Sequence, residues 1–91
     1  MSESDIQREI VEELRLRGAV IFRMNAGRGK GWQLLCPPGT PDLLVIEPHH
    51  TWWCEVKTPT GKLTDDQVAM HERLEMMGHE VVVARSVEDI A

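Results

Sequence analysis

Ninety-one residues make one domain, near the lower size at which a single hydrophobic core suffices, which excludes a large ligand cavity with its own lid. Ten basic against fifteen acidic residues give a net charge of −5, which argues against a nucleic-acid binder working by bulk electrostatics alone. Cys36 and Cys54 stand alone without a C-x-x-C pair, which excludes a disulfide framework, and both are expected to be reduced and buried. Leu43 to Ile46 and Val81 to Ala84, the longest apolar runs, fall far short of a membrane span. With no signal-peptide pattern either, the chain is expected to be soluble and cytoplasmic, with no membrane partner.

The first predicted element is a helix over SESDIQREIVEELRLRG. Ser2 or Ser4 can cap it, acids fill its first turns, arginines its last, and Gly18 stops it. Ile6, Ile10, Val11 and Leu14 recur at helical spacing and form its core-facing stripe. AVIFRM (19–24) reads as a strand, followed by the glycine-rich basic loop NAGRGKG and a short strand WQLLC. PPGTP is a rigid connection into the buried strand DLLVI; EPHH is a turn, and TWWCEVK is the partner strand of a hairpin. PTGKLTDDQ leads into a second helix in which Thr64 is the N-cap and Gln67 completes a capping box. Val68, Met70, Leu74 and Met77 are its expected inward residues. EVVVA is a last strand and SVEDIA a terminal turn or short helix. The order predicts one α/β domain over residues 1–91, a small mixed sheet flanked by helices.

Alternation along a strand points Glu55 and Lys57 the same way as Trp53, and Trp52, Cys54 and Val56 the other way. Asp42 begins the preceding strand, so hairpin pairing brings it level with Glu55 and Lys57. Two carboxylates facing one point suit a hard cation, Mg²⁺ or Mn²⁺, rather than zinc, with the backbone carbonyl of Val56 as a candidate extra ligand. Such an ion can bind a phosphate oxygen and acidify a bound water, and Lys57 can orient that nucleophile. The competing reading is an exposed Glu55–Lys57 ion pair, worth roughly 0–1 kcal/mol. With about 100° per residue on the helical wheel, Glu3 falls on the Ile6/Ile10/Leu14 stripe with Gln7 beside it. It is a third candidate acid, or else a helix-end charge that favours the dipole.

P-D at 41–42 followed by E-V-K at 55–57, after a helix bearing an acid, resembles the PD-(D/E)xK nuclease superfamily. The stretches ESDIQREIVEELRLRGAVIFRMNAG, PPGTPDLLVI, EVKTPTGKLTDDQ and GHEVVVARSVEDI resemble its VRR-NUC family in the small stand-alone form, over nearly the whole chain and in order. The resemblance implies a restriction-endonuclease-like core, α-β-β-β-α-β, and Mg²⁺- or Mn²⁺-dependent hydrolysis of phosphodiester bonds in DNA. It assigns Asp42, Glu55 and the Val56 carbonyl to the metal, Lys57 to the attacking water, Glu3 to the helix acid and Gln67 to a polar position after the signature. It also implies a homodimer acting on branched DNA such as Holliday junctions, with a nicking module attached to replication or packaging machinery, as in a virus or mobile element, equally open.

Arg23 and Asn25 lie at positions similar to family residues near the site and are candidates for phosphate binding, as are Arg28 and Lys30 in the basic loop. That loop lacks the G-x-x-x-x-G-K-[ST] pattern of a phosphate-binding loop. Cys36, His49, His50 and Cys54 match no tight zinc spacing, so turn histidines and packed thiols are expected. Trp32, Trp52 and Trp53 read as core or interface residues. The rivals are a non-catalytic DNA-binding adaptor on a nuclease scaffold and a plain α/β domain with solvated charges. Against the adaptor stands the gathering of two acids where a phosphate must approach.

Overall fold

The computed structural model describes residues 1–24 and 36–91. The chain runs α1 (Glu3–Leu16), β1 (Val20–Arg23), β2 (Leu43–Glu47), β3 (His50–Val56), α2 (Asp65–Met76), β4 (Val81–Ala84) and a closing 3₁₀ turn, Val87–Ile90. These strands form one mixed sheet, as the sequence led us to expect, with the order β1-β2-β3-β4 across it.

Each element begins and ends for an identifiable reason. Ser2 caps α1: its hydroxyl accepts the Asp5 amide, and the Asp5 carboxylate accepts the Ser2 amide in return. Acids in the first turn and Arg15 in the last complement the helix dipole. Ile6, Ile10, Val11 and Leu14 are all buried against one sheet face. That face carries Leu43 and Val45 of β2, Trp52, Cys54 and Val56 of β3, and Ala84 of β4. Ile10 and Leu14 are fully enclosed, each stabilising the fold by about 1.5–3 kcal/mol over an exposed position.

The β2–β3 hairpin fixes the register. Its strands pair from Glu47↔His50 through to Leu43↔Cys54. Pro48 and His49 form the two-residue connection, with His49 at φ 61°, the positive φ that tight hairpin turns demand. At this end Glu47 accepts both the Trp52 indole N–H and the Arg17 Nε–H, each at 2.8 Å, and these bonds hold its carboxyl below the usual range. Because β3 and β4 are parallel, a crossover must join them, and α2 supplies it on the face opposite α1. There Met70, Leu74 and Trp53 line one apolar cleft with Met24, Cys36, Pro37 and Thr40.

Several expectations need correction. Of the four residues of α2 expected inward, Met70 and Leu74 do face the sheet, whereas Val68 is 41% and Met77 63% exposed, and the buried residue is His71. The inner face is completed by the polar residues Gln67 and His71, which a count of hydrophobic residues leaves out. His50 opens β3 and pairs with Glu47, so the turn holds only one of the two histidines. Cys54 is buried, but Cys36 is only half-buried, its thiol against the Met24 carbonyl. The predicted strand WQLLC, apart from Cys36, lies outside the described residues, as do Trp32 and the basic loop with Asn25, Arg28 and Lys30.

Candidate active site

One end of the sheet gathers the charged residues. Continuing the β2–β3 register by one step places Asp42 opposite Glu55. Both side chains leave the sheet on the α2 face, because Leu43, Cys54 and Val56 occupy the α1 face. Asp42 is tethered at two points. Its Oδ2 accepts the Val56 amide at 2.8 Å, and its carbonyl accepts the Met24 amide at 2.9 Å as β1 ends. A carboxylate held at a strand tip by a backbone N–H cannot swing into solvent.

Glu55 is 1% and Lys57 9% exposed, so the solvated ion pair the sequence allowed is not what forms. Burial, the hydrogen bond that the protonated Glu55 carboxyl donates to Asp42, and the charge of Asp42 push the Glu55 carboxyl up to about 9. Nearby Lys57 opposes that rise, and Glu3 adds to it through its charge. At neutral pH two acids in contact in a dry setting keep a proton between them. Glu55 Oε1 also lies 3.2 Å from the His71 Nε2, and burial lowers the tendency of that imidazole to take up a second proton. Cys54, beneath the pair, is pushed up to about 12 by burial first and then by the acids, which leaves it an inert packing thiol.

The surrounding loops hold this constellation in place. The PPGTP segment crosses the start of α2 so closely that a Cβ on Gly39 would meet the Asp66 carbonyl oxygen at 2.1 Å, and Gly39 has φ +83°. That contact fixes Asp42 relative to α2. After Lys57 the chain turns through residues 58–61, and Arg85 reaches over from the end of β4. Its Nη1 donates to the carbonyls of Thr58 and Gly61, both at 2.7 Å. Sequence reasoning missed Arg85, whose role depends on loop carbonyls that carry no residue signature.

The remaining candidates are placed as follows. Glu3 is the first residue of α1 and is exposed; it acts on Glu55 by charge. Gln67 is half-buried, its side-chain carbonyl accepting the Thr64 amide at 2.9 Å in the predicted capping box. Arg23 pairs with Leu43 on the neighbouring strand and lines a polar cleft of about 340 Å³ with Ser4, Gln7 and Arg8. Among the described residues no three His, Cys, Asp or Glu side chains converge as a metal cluster, whereas the Asp42 and Glu55 carboxyls do meet. His71 was missed because it looks like a polar break in an apolar stripe. The signal is present in the spacing: Gln67, Met70, His71 and Leu74 form an i, i+3, i+4, i+7 face.

A mixed sheet between two helices, with two acids and a lysine at adjoining strand ends, defines a nuclease-type domain. The fold is similar to that of a solved structure described as "VRR_NUC domain", with a TM-score of 0.76 and 27% identity, covering 99% of this chain and 91% of that one. In sequence it is 33% identical over 86 residues to "Putative nuclease p44" of Acyrthosiphon pisum secondary endosymbiont phage 1, covering 92% of this chain and 83% of the relative. No family model matches the chain. On the fold and the phage relative together, the chain belongs to the VRR-NUC family of nucleases.

Proposed function

We propose that the protein is a Mg²⁺- or Mn²⁺-dependent endodeoxyribonuclease that cuts branched DNA as a homodimer. The observation that carries this reading is the contact between the Asp42 and Glu55 carboxyls beside buried Lys57. A proton trapped between two acids marks a place where positive charge is wanted, and hard carboxylate oxygens fit a hard divalent cation. Asp42, Glu55 and the Val56 carbonyl would hold it. Bound there, the ion supplies charge neutralisation for the phosphodiester and acidifies a coordinated water.

The chain's own residues do the rest. Asp42 stays aimed because the Val56 amide holds one of its oxygens. Lys57, rooted in the sheet by the hydrogen bond its backbone N–H donates to the Ala84 carbonyl at 3.0 Å, orients the attacking water and balances charge at the phosphate. Glu3 adds a third negative charge from the start of α1, and Gln67 offers its side-chain amide from the start of α2. Arg23, with Asn25, Arg28 and Lys30, binds flanking phosphates. In-line attack by water leaves a 5′-phosphate.

Two-fold symmetry gives the dimer a purpose, since resolving a four-way junction takes two related cuts. The apolar face of β1 and β2 opposite α1 is consistent with self-association: Val20, Phe22 and Ile46 are 57%, 50% and 38% exposed there. The phage relative suits an origin in a virus or mobile element.

The test is incubation of the purified protein with labelled four-way junction, flap and linear duplex in Mg²⁺, Mn²⁺ or chelator. Metal-dependent incision near the branch point is expected, and Asp42→Ala, Glu55→Ala and Lys57→Ala should each abolish it while circular dichroism stays unchanged. Cleavage surviving the chelator would refute the mechanism. Binding without cutting in either metal would instead indicate a DNA-binding adaptor.

A further inference from the structure

The inner face of α2 contains a group that the proposed chemistry does not yet use. His71 is buried at 5% exposure, and among the described residues its hydrogen-bond partner is Glu55, with Nε2 3.2 Å from Oε1. Stability alone is a poor reason for this pair. A buried polar couple is commonly no more stabilising than apolar side chains of the same volume, and Leu74 and Met70 on the same face show that apolar residues fit there. What an imidazole offers and an aliphatic does not is a directed N–H at a fixed point. The point is well fixed, because the Thr64–Gln67 capping box sets the start of α2 and Gly39 packs against the Asp66 carbonyl.

We propose that His71 is a positioning residue, whose Nε2–H holds one oxygen of Glu55 so that the carboxylate stays turned toward Asp42 and the cation between them. The proposal rests on the metal-site reading above. Without that bond only the contact with Asp42 orients the Glu55 carboxyl, and a cation between the two acids takes the place of that contact, so the pair no longer presents a prepared donor set. A hydrogen bond to a ligand from outside the coordination sphere usually governs affinity by about 10–100-fold.

Mn²⁺ binding, measured by calorimetry and by the electron paramagnetic resonance signal of free Mn²⁺, provides the test on wild type, Asp42→Asn, His71→Phe and His71→Gln. His71→Phe keeps ring volume without a donor; His71→Gln carries an amide N–H that reaches as far as Nε2. Wild type should bind Mn²⁺ and Asp42→Asn should lose it. His71→Phe should stay folded by thermal melting yet bind Mn²⁺ about 10–100-fold more weakly, with His71→Gln recovering to within a few-fold of wild type. For DNA cleavage the half-saturating Mn²⁺ concentration should shift in the same order, with kcat for His71→Phe largely restored at saturating metal. Should His71→Phe fail to fold, His71→Asn replaces it, since its shorter amide leaves the donor short of Oε1. Wild-type affinity in the donor-less variant, or no recovery in His71→Gln, alongside loss in Asp42→Asn, would reduce His71 to packing. If wild type binds Mn²⁺ no better than Asp42→Asn, it is the metal-site reading that falls, and the positioning role with it.

Discussion

Replacing Glu55 by glutamine should stabilise the metal-free protein while destroying its activity. In the folded chain the Glu55 carboxyl keeps its proton up to about 9, because it is buried against the Asp42 carboxyl, whereas the ordinary value is 4.5. The folded state therefore binds more protons than the unfolded state between these limits, and stability falls as pH rises through that window. At pH 7 the assay sits about 2.5 units above the unfolded carboxyl, and each unit is worth about 1.4 kcal/mol, so the penalty is about 3 kcal/mol. Glutamine mimics the protonated acid: its NH₂ can donate to Asp42 and its carbonyl can accept from His71, with no proton to hold. Allowing for imperfect amide geometry, about 2 kcal/mol should be regained, which in a domain this small raises Tm by roughly 10 °C. Thermal melts in chelator from pH 5 to 8 should show wild type losing stability with rising pH and Glu55→Gln doing so much less. Added Mn²⁺ should reverse the order by stabilising wild type alone. Equal melting temperatures in chelator at pH 7, with parallel pH profiles, would refute the shared proton and with it the strongest support for the site.

Three further predictions concern the supports. Gly39→Ala should cost more than 3 kcal/mol in denaturant unfolding or prevent folding, because its Cβ would collide with the Asp66 carbonyl, whereas Gly78→Ala, with a similar φ of +90° and open space around it, should cost only about 1 kcal/mol. Equal effects would show that the crossing over α2 is not as tight as described. Arg85→Lys should lose about 1–2 kcal/mol and speed hydrogen exchange at the Gly61 amide, since the ammonium sits one bond nearer the backbone than Nη1 and falls short of the two loop carbonyls; unchanged exchange would remove the clamp. Arg23→Ala should weaken DNA binding and lower its salt slope by about one ion, and an unaltered slope would take the Ser4–Gln7–Arg8 cleft out of the DNA path.

Most of the fold was legible because its signals are local. The α1 stripe, its serine cap and the glycine stop lie within eighteen residues, and each has one physical meaning. The hairpin was equally open to reading, since alternation assigns faces and a short turn sets register. Both statements about Asp42 and Glu55 follow from those two facts. What could not be read was depth. E-x-K looks the same whether solvated or buried, and only the crossing of α2 over the sheet brings Glu55 to 1% exposure. The clamp from Arg85 was hidden for a related reason: a side chain that binds backbone carbonyls more than twenty positions away leaves no pattern in either segment.

The misread helix carries the more general lesson. Counting hydrophobic residues on α2 selected Met70 and Leu74, which do meet the sheet, together with Val68 and Met77, which are exposed, and passed over Gln67 and His71 on the inner face. That face, Gln67-Met70-His71-Leu74, has perfect helical spacing but is half polar. Core formation alone does not account for an imidazole and an amide on the inner side of a helix, since polar groups taken from water must each find a partner there. Gln67 finds its partner in the capping box at the turn that begins α2, and His71 finds its partner at the candidate site, on the Glu55 carboxyl. Where local pattern and observed burial disagree, the disagreement falls where chemistry has displaced packing as the reason for a residue. Under the proposed positioning role, His71 ties the inner face of α2 to the strand tips in one site, and the comparison of His71→Phe with His71→Gln in Mn²⁺ affinity is what separates that role from packing.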